Sequence, residues 1–410
     1  MGSGRDVHRT GMSEAASARP VVLVFLRCYL PGYKSGGPVR TIANLVEALG
    51  DELDFRIVTC DRDATDTRPY PQIDAASGWQ RIGKAKVLYL APRQRGLSRI
   101  ARILRETPHE TLYLNSFFDP DFTVKPLLAR RFGRAPKSRC VVAPRGEFAQ
   151  GALALKPARK KAFLALVGAF GLYRDLEWQA STASEATDIR RTLGPLACNV
   201  RIATNLPEIA APRTTLARPA LTRPILASDP LRVVFLSRIS PMKNLDFALE
   251  VLRRVRMPVR FDIYGPVRDE VYWARCKRLI RKLPRHVQAS HHGSVEHERV
   301  RSVLAGYDLF FLPTLGENYG HAILEAFTAG VPVLISDATP WRDLEEIGIG
   351  WDLPLGNADL FAGRIDHVAR LPAAVKMQMR VRAVAFAESG GTDAAALEAN
   401  RKLFTCLSQP

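Results

Sequence analysis

The sequence predicts an α/β protein made of two doubly wound parallel sheets facing each other across a cleft. Three observations lead there. The chain has 410 residues, which at roughly 150 residues per domain calls for two or three packing units. Short continuous apolar runs alternate with segments of helical periodicity. A Pro-rich stretch without periodicity separates two such series. Hydrophobic residues at 47% and charged residues at 24% match an average globular chain, which excludes wholesale disorder, collagen-like repeats and a polytopic membrane protein.

Residues 1–19 are polar and rich in small side chains. They lack the apolar core of a secretory leader and read as a flexible tail. PVVLVFLRCYL follows as a fully buried strand, because its apolar run is continuous and β-branched rather than alternating. A Gly/Pro turn, PGYKSGGP, leads into VRTIANLVEALG, where Ile42, Leu45, Val46 and Leu49 recur at helical spacing and Gly50 ends the helix. FRIVTC, KVLYLA, TLYLNSF and RCVVAP continue the strands, with helix or loop between them, so residues 20–206 read as one Rossmann-like half. Residues 207–230 are the interdomain connection. LRVVFLSRI, VRFDIYG, HVQASHHG, DLFFLP and VPVLISD are the strands of a second half over 231–385. DFALEVLRRV, VYWARCKRLIRKL, ERVRSVLAGY and HAILEAFTAG are its helices. Residues 386–410 are expected to form a C-terminal helix returning to the first half. Ligands of such sheets bind beyond the carboxyl ends of the strands, which puts the expected site in the cleft.

Six cysteines (Cys28, Cys60, Cys140, Cys198, Cys276, Cys406) lie far apart without CxxC spacing, so neither a zinc ribbon nor a disulfide framework is indicated and a cytoplasmic setting is expected. The longest uncharged apolar stretch, from Ala162 to Tyr173, falls short of the ~20 residues needed to cross a bilayer. Charge is the unusual feature: 59 Lys+Arg against 41 Asp+Glu give +18, which favours an anionic partner. Between Lys125 and Lys161 eleven cations face one acid, Glu147. That segment runs into AFLALVGAFGLY, reading either as a basic amphipathic surface that docks on anionic lipid or as a solvated face.

The most informative stretch is FFLPTLGENYGHAILEAFTAGVPVLISD. A buried strand enters a loop holding Glu317, Asn318, Tyr319 and Gly320, and a helix starts there with free amides and the positive end of its dipole pointing past the strand end. Such a helix tip accepts an anion. His321 and Glu325 share one helix face, and helical side chains lean toward the N-terminus, so Glu325 reaches back to the same place. Glu317 and Glu325 thus flank a phosphate-type pocket and suit hydrogen bonds from sugar hydroxyls. In FLSRISPMKNLDFALEVL, Arg238 and Lys243 bracket a strand-to-helix turn, with Asn244 as the expected N-cap. Two fixed cations there stabilise the charge that grows on a diphosphate as a glycosidic bond to it breaks, without a metal.

Glu317 and Glu325, seven residues apart inside GENYGHAILEAFTAGVPV, resemble the E-x7-E signature of retaining GT-B glycosyltransferases of family 4. SRISPMKN resembles the Arg/Lys phosphate motif of that family, and SGGPVRTIANLVEAL its N-terminal glycine loop and helix. The resemblance covers nearly the whole chain in order. It implies the GT-B fold and Glu317, Arg238 and Lys243 as catalytic residues, with Glu317 on the donor sugar and the two cations on the diphosphate. Glu325 would hold the nucleotide ribose. Amides of Gly36, Gly37, Asn318, Tyr319, Gly320 and His321 would approach donor oxygens, and Gly265 and Gly293 would flank the base. Retention of configuration, a nucleotide-diphosphate sugar as substrate rather than cofactor, no metal, and transfer to a glycan or lipid-linked hydroxyl are also implied. Relatives often carry a histidine at the strand end that faces the donor sugar. Here VVAPRGEF offers Arg145 and Glu147, and TLYLNSFF offers Asn115 and Ser116, so Asn115, Arg145 and Glu147 stand on the acceptor side. VAPRGEFAQGALALK and LISDATPW resemble the subset that assembles bacterial surface polysaccharide.

Three other patterns carry less. His291, His292 and His297 have no metal-ligand spacing. Asp61-Arg62-Asp63 and Asp119-Pro120-Asp121 match a D-x-D string and read as loops. A sugar epimerase or a phosphorylase on the same scaffold, or a basic nucleic-acid-binding protein, are the rival readings. The last lacks any helix-turn-helix, zinc-finger or RNA-binding signature, so no nucleic acid is expected.

Overall fold

A computed structural model describes residues 19–155, 157–208, 229–389 and 394–405. The expected tail therefore lies, apart from Arg19, outside the described residues, as do Cys406 and most of the expected connection.

The first half runs β1 (Val21–Phe25), α1 (Gly37–Leu49), β2 (Asp54–Cys60), β3 (Trp79–Ile82), β4 (Ala85–Leu90), α2 (Leu97–Glu106) and β5 (Thr111–Asn115). It continues through α3 (Lys125–Arg131), β6 (Arg139–Ala143), α4 (Gln150–Ala154), α5 (Pro157–Ala169), β7 (Glu177–Ala180), α6 (Ala183–Leu193) and β8 (Asn199–Ile202). Its sheet has the order β3-β4-β2-β1-β5-β6-β7-β8, parallel except for β3 against β4. The central strand β1 is buried along nearly its whole length, as its unbroken apolar run requires when helices cover both faces. In α1 the apolar positions Val39, Ile42, Leu45, Val46 and Leu49 are buried, and the Gly50 amide closes the last turn on the Val46 carbonyl at 2.8 Å.

The second half is β9 (Leu231–Leu236), α7 (Leu245–Leu252), β10 (Val259–Tyr264), α8 (Glu270–Ile280), β11 (Val287–His291), α9 (His297–Leu304) and β12 (Leu309–Leu312). It goes on through α10 (His321–Thr328), β13 (Val333–Ser336), α11 (Leu344–Ile347), β14 (Gly350–Leu353), α12 (Ala358–Arg370) and α13 (Ala373–Ser389). Its sheet is all parallel, ordered β11-β10-β9-β12-β13-β14. Phe235, Phe261, Phe310, Phe311 and Ile335 lie in its buried core.

The last helix, α14 (Ala394–Thr405), packs on the first half. Phe404 sets its ring edge-on to Phe55 and Tyr113, with centroids 6.1 and 5.1 Å away. Residues 386–389 belong instead to α13 on the second half, where Phe386 meets Phe327 and Trp341. The expected single helix over 386–410 is thus divided between the two halves.

Four strands escape the apolar-run criterion: β3, β7, β8 and β14. Each has four residues, and β3 and β8 are edge strands with mostly unburied side chains. Neighbouring strands supply their pairing partners, which local sequence does not reveal. Among the described residues, no helix is long and apolar enough to cross a membrane. The five described cysteines are unpaired, and only Cys198 is exposed.

Candidate active site

In each sheet the chain leaves two adjacent central strands toward opposite sides, β1 and β5 in the first, β9 and β12 in the second. A crevice opens past the carboxyl ends at such a place. The two crevices face one another and form a cleft of about 1040 Å³. All the sequence-predicted site residues line it except Asn115 and Gly293.

The loop from β12 to α10 is built on three strand ends. Thr314 Oγ1 and the Leu315 amide both donate to the Met242 carbonyl at 3.0 and 2.9 Å, Ser336 Oγ donates to the Thr314 carbonyl, and the Glu317 amide donates to the Ala338 carbonyl at 3.0 Å. Gly320 then caps α10 with φ of 80°, where a Cβ would lie 2.9 Å from Ile323 and 3.0 Å from the Trp341 indole. Only glycine brings the helix tip to the cleft at this angle. Trp341 Nε1 locks the turn by donating to the Tyr319 carbonyl at 2.6 Å.

Lys243 ends a short turn, Pro241–Lys243, and is buried with its ammonium ion-paired to Glu317. Burial pulls its pKa below the ordinary lysine value in spite of that carboxylate. Arg238, also lowered by burial and then by Arg268, has no ion pair among the described residues. Asn244 does not cap α7 through its side chain; it adopts a left-handed conformation with φ of 58°. Asn244 thus stands at the expected N-cap position of α7, but its side chain makes no cap: the tight turn that inserts Lys243 takes up the residue's tolerance for positive φ.

Glu325 lies one helical turn into α10, and burial pushes its carboxyl up to about 7, with His297 and Arg40 pulling the other way. His321 is driven to about 3 by burial and by Arg145 and Arg40, so its ring is neutral; Nε2 sits 3.0 Å from Thr41 Oγ1 of α1. A Cβ on Gly37 would lie 3.7 Å from His321, and one on Gly36 3.9 Å from Arg238, so the glycine loop abuts the cationic turn and the helix tip. Gly265 has φ of 140°, and a Cβ there would fall 1.9 Å from the Ser237 carbonyl oxygen. Its amide donates to the Gly293 carbonyl at 2.7 Å. Gly293 thus supports Gly265 from behind, and Ser294 and Val295 line the cleft instead.

On the first half, Arg145 is held by neutral acceptors: Asn115 Oδ1 at 3.1 and 2.7 Å, Asn205 Oδ1 at 2.8 Å and Tyr113 Oη at 2.6 Å. Asn115 is therefore the support and Arg145 the group presented. Glu147 reaches the wall of the cleft, but its carboxylate accepts from Ser116 Oγ at 2.8 Å and from the Phe117 and Phe118 amides at 2.5 and 3.2 Å. It shapes the 116–118 turn, and burial raises its pKa.

Two residues that bind the halves together have no signal of their own in the sequence. Glu185 accepts from the Gly146 and Ser181 amides and Ser181 Oγ, each at 2.7 Å, and from Asn318 Nδ2 across the cleft at 2.8 Å. Thr182-x-x-Glu185 has the pattern of a capping box. Thr182 Oγ1 does accept the Glu185 amide at 3.1 Å, while the glutamate side chain turns to the cleft. Thr41 is the other.

His291 and His292 bond the Gly265 carbonyl and Asp262, and no group of side chains among the described residues is arranged to hold a metal ion. The D-x-D strings are structural: Asp61 pairs with Arg62 at 2.8 Å, Asp63 accepts the Tyr33 and Lys34 amides at 2.7 and 2.9 Å, and Asp119 pairs with Arg27 at 2.7 Å.

Residues 221–386 match the family Glycosyl transferases group 1. A component of the phosphatidylinositol N-acetylglucosaminyltransferase of Arabidopsis thaliana is 32% identical over 121 residues, 29% of this chain and 26% of that protein; the match thus spans about a quarter of the length of this curated relative. Among solved structures, Anabaena HepE in complex with UDP-glucose aligns with a TM-score of 0.68 at 16% identity, over 94% of this chain and 100% of that one. WaaG, a glycosyltransferase involved in lipopolysaccharide biosynthesis, aligns with a TM-score of 0.61 at 15% identity, over 94% and 99%. The second half of the chain is thus similar to Glycosyl transferases group 1, within a two-domain fold of the GT-B type seen in HepE and WaaG.

Proposed function

We propose that this protein is a retaining glycosyltransferase that moves a sugar from a nucleoside diphosphate to a hydroxyl of a glycan or lipid-linked acceptor in surface-polysaccharide assembly. One observation carries the reading: Arg238, Lys243, the tip of α10 and the Glu317–Glu325 pair share one cleft with the glycine loop of the opposite half. Arg238, without an ion pair among the described residues, and the α10 amides suit a diphosphate, and Lys243, paired with Glu317, lines the same cleft. As the glycosidic bond breaks, these donors meet the charge arriving on the phosphate, and their fixed placement lowers the barrier without reorganisation. The departing phosphate stays on the face it left. If it takes the acceptor's proton, attack comes from that same face and the anomeric configuration is kept. No step draws on a metal.

HepE and WaaG, similar in fold, support a nucleotide-sugar donor and a surface-glycan setting. The expectation of an anionic lipid surface draws on Leu166 near the end of α5 and Phe170 just past it, both exposed beside Arg159 and Lys161, with Phe132 exposed on the same half, although α5 itself does not separate an apolar from a polar face. Lys160 and the α4 residues Gln150 to Ala152 line the cleft next to it, so a lipid-linked acceptor would enter from the bilayer side. On this reading the enzyme works at the inner face of the cytoplasmic membrane.

The test is release of nucleoside diphosphate from a panel of nucleotide sugars with membrane extract as acceptor, in the presence of EDTA, followed by NMR of the product anomer. Transfer with retention supports the reading; inversion, or EDTA-sensitive turnover, refutes those parts of it. Lys243→Ala and Glu317→Ala are expected to lower kcat about a hundredfold or more with a small change in Tm. Wild-type rates in both would remove the assignment of the site.

A further inference from the structure

The cleft contains a second, charged arrangement beside the proposed diphosphate position, centred on His297 at the start of α9. Its ring lies between two carboxylates. Nε2 is 3.3 Å from Glu208 Oε2, and Nδ1 is 3.5 Å from Glu325 Oε1. The two glutamates belong to different halves. Glu325 is on α10, which packs on α9 within the second half. Glu208 follows β8 on a segment fastened to the first half, where Asn44 Nδ2 donates to the Leu206 carbonyl at 2.9 Å and Asn400 Nδ2 to the Thr204 carbonyl at 2.7 Å. Arg40, on α1, completes the group: it lines the cleft and interacts electrostatically with both glutamates.

We propose that His297 is a positioning residue for the nucleotide: clamped between Glu208 of one half and Glu325 of the other, it aims the Glu325 carboxylate at the vicinal hydroxyls of the donor's ribose when the halves are closed. The inference rests on the glycosyltransferase reading above and adds to it the residue that couples ribose recognition to domain closure.

The chemistry follows from what a carboxylate must do there. To accept two hydroxyl protons it has to be ionised and held in one orientation. Burial works against ionisation, raising Glu325 to about 7, and the groups that oppose burial are His297 and Arg40, with Glu208 acting the other way. His321, on the same helix, is neutral. His297 lies nearest Oε1 of that carboxylate, at 3.5 Å. On the far side, the Glu208 carboxyl is itself lowered, first by its hydrogen bond with His297, against its own burial, and further by the nearby Arg40 guanidinium. The His297 ring between Glu208 of one half and Glu325 of the other is an arrangement that needs both halves present. When the cleft opens, Glu208 and Arg40 move away with the first half, and Glu325 loses part of what keeps it charged and oriented. Donor binding and closure are then linked, because each favours the other.

The experiment uses the full chain and calorimetric binding of UDP, GDP and ADP between pH 6.0 and 8.5, carried forward with whichever binds and with its 2′-deoxy counterpart. His297→Ala is expected to weaken the ribonucleotide about tenfold at pH 6.5. The loss should be smaller at pH 8.5, because without the His297 contact to oppose its burial Glu325 ionises only at higher pH. The 2′-deoxynucleotide, already weaker on wild type, should lose less than the ribonucleotide in the variant. His297→Gln, which keeps a donor but no charge, should restore most affinity at pH 8.5 and little at pH 6.5. Glu208→Gln should act in the same direction with a smaller effect. Thermal melts report whether each variant is folded, and the glutamine variant keeps the test open if alanine is not.

The proposal is overturned if His297→Ala binds with the wild-type affinity and pH profile. It is equally overturned if the variant weakens ribo- and deoxyribonucleotide by the same factor at every pH, the mark of a merely structural role. Failure of wild type to bind any of the three nucleotides overturns the glycosyltransferase reading itself, which separates the two failures.

Discussion

Glu325 illustrates how one side chain trades stability against binding. Its folded pKa, about 7, lies above the unfolded value of ~4.3, so the folded state holds the proton more tightly than the unfolded one. The stability this group contributes is complete below the unfolded value and is lost as pH rises through the folded one. Glu325→Gln removes that dependence. The variant should be more stable than wild type at pH 8, by at most about 4 kcal/mol, with the difference shrinking toward zero by pH 4.5, while nucleotide affinity falls. Urea unfolding at the two pH values checks the stability; a variant less stable at pH 8 would show that the His297 contact outweighs the burial cost. His321 has the opposite sign: its folded pKa of about 3 lies below the free value, so its contribution is lost as pH falls from the unfolded value toward 3.

At the scale of elements, the site depends on how closely strand ends approach one another. β9 and β10 run side by side and deliver Ser237 and Gly265 into contact, leaving no room for a methyl group. Gly265→Ala should therefore destabilise the chain by about 3 kcal/mol, combining the clash with the cost of φ at 140°, and thermal unfolding measures it. A change under about 0.5 kcal/mol would show that β10 slides freely at its end. The exposed apolar residues at the end of α5 and just past it belong to this scale too. Replacing Leu166 and Phe170 with serine should abolish flotation with phosphatidylglycerol vesicles at low salt while leaving Tm within a degree or so, since both side chains are exposed. Undiminished flotation would assign the surface to some other partner.

For the whole molecule, the cleft is held by hydrogen bonds that cross it, among them Asn318 to Glu185 and His321 to Thr41. Both end on the loop and helix tip that face the proposed donor, so closure and site assembly are one event. Thr41→Val should remove one such bond, worth about 1 kcal/mol or roughly a fivefold shift toward the open form. Small-angle scattering should then show a larger radius of gyration, and kcat should fall by a similar factor with more hydrolysis relative to transfer. An unchanged scattering profile would mean that other contacts set the closure. The strap α14 has a different task. Phe404 is buried against Phe55 and Tyr113, and Phe404→Ala should cost about 3–5 kcal/mol in the first half, away from the proposed donor position.

The sequence alone determined the two-sheet architecture, because central parallel strands covered on both faces read as nearly continuous apolar runs: β1 and β12 are unbroken, and β5 and β9 are broken only by Thr111, Asn115 and Arg232. It also determined which residues gather at the proposed diphosphate position, because they sit within short stretches: Arg238 and Lys243 in one turn, Glu317 to Glu325 across one loop and helix. What tertiary structure decided is everything that depends on chain segments meeting from a distance. Glu185 reaches Asn318 over 133 positions and His297 reaches Glu208 over 89, separations at which no local periodicity or motif carries information. The same holds for Glu147 and Asn115, whose residue types suggested a role toward substrate while packing turned one to a turn and the other to Arg145. A side chain's chemistry is written in the sequence, but its partner is chosen by the fold, and in a buried site the partner sets both charge and direction.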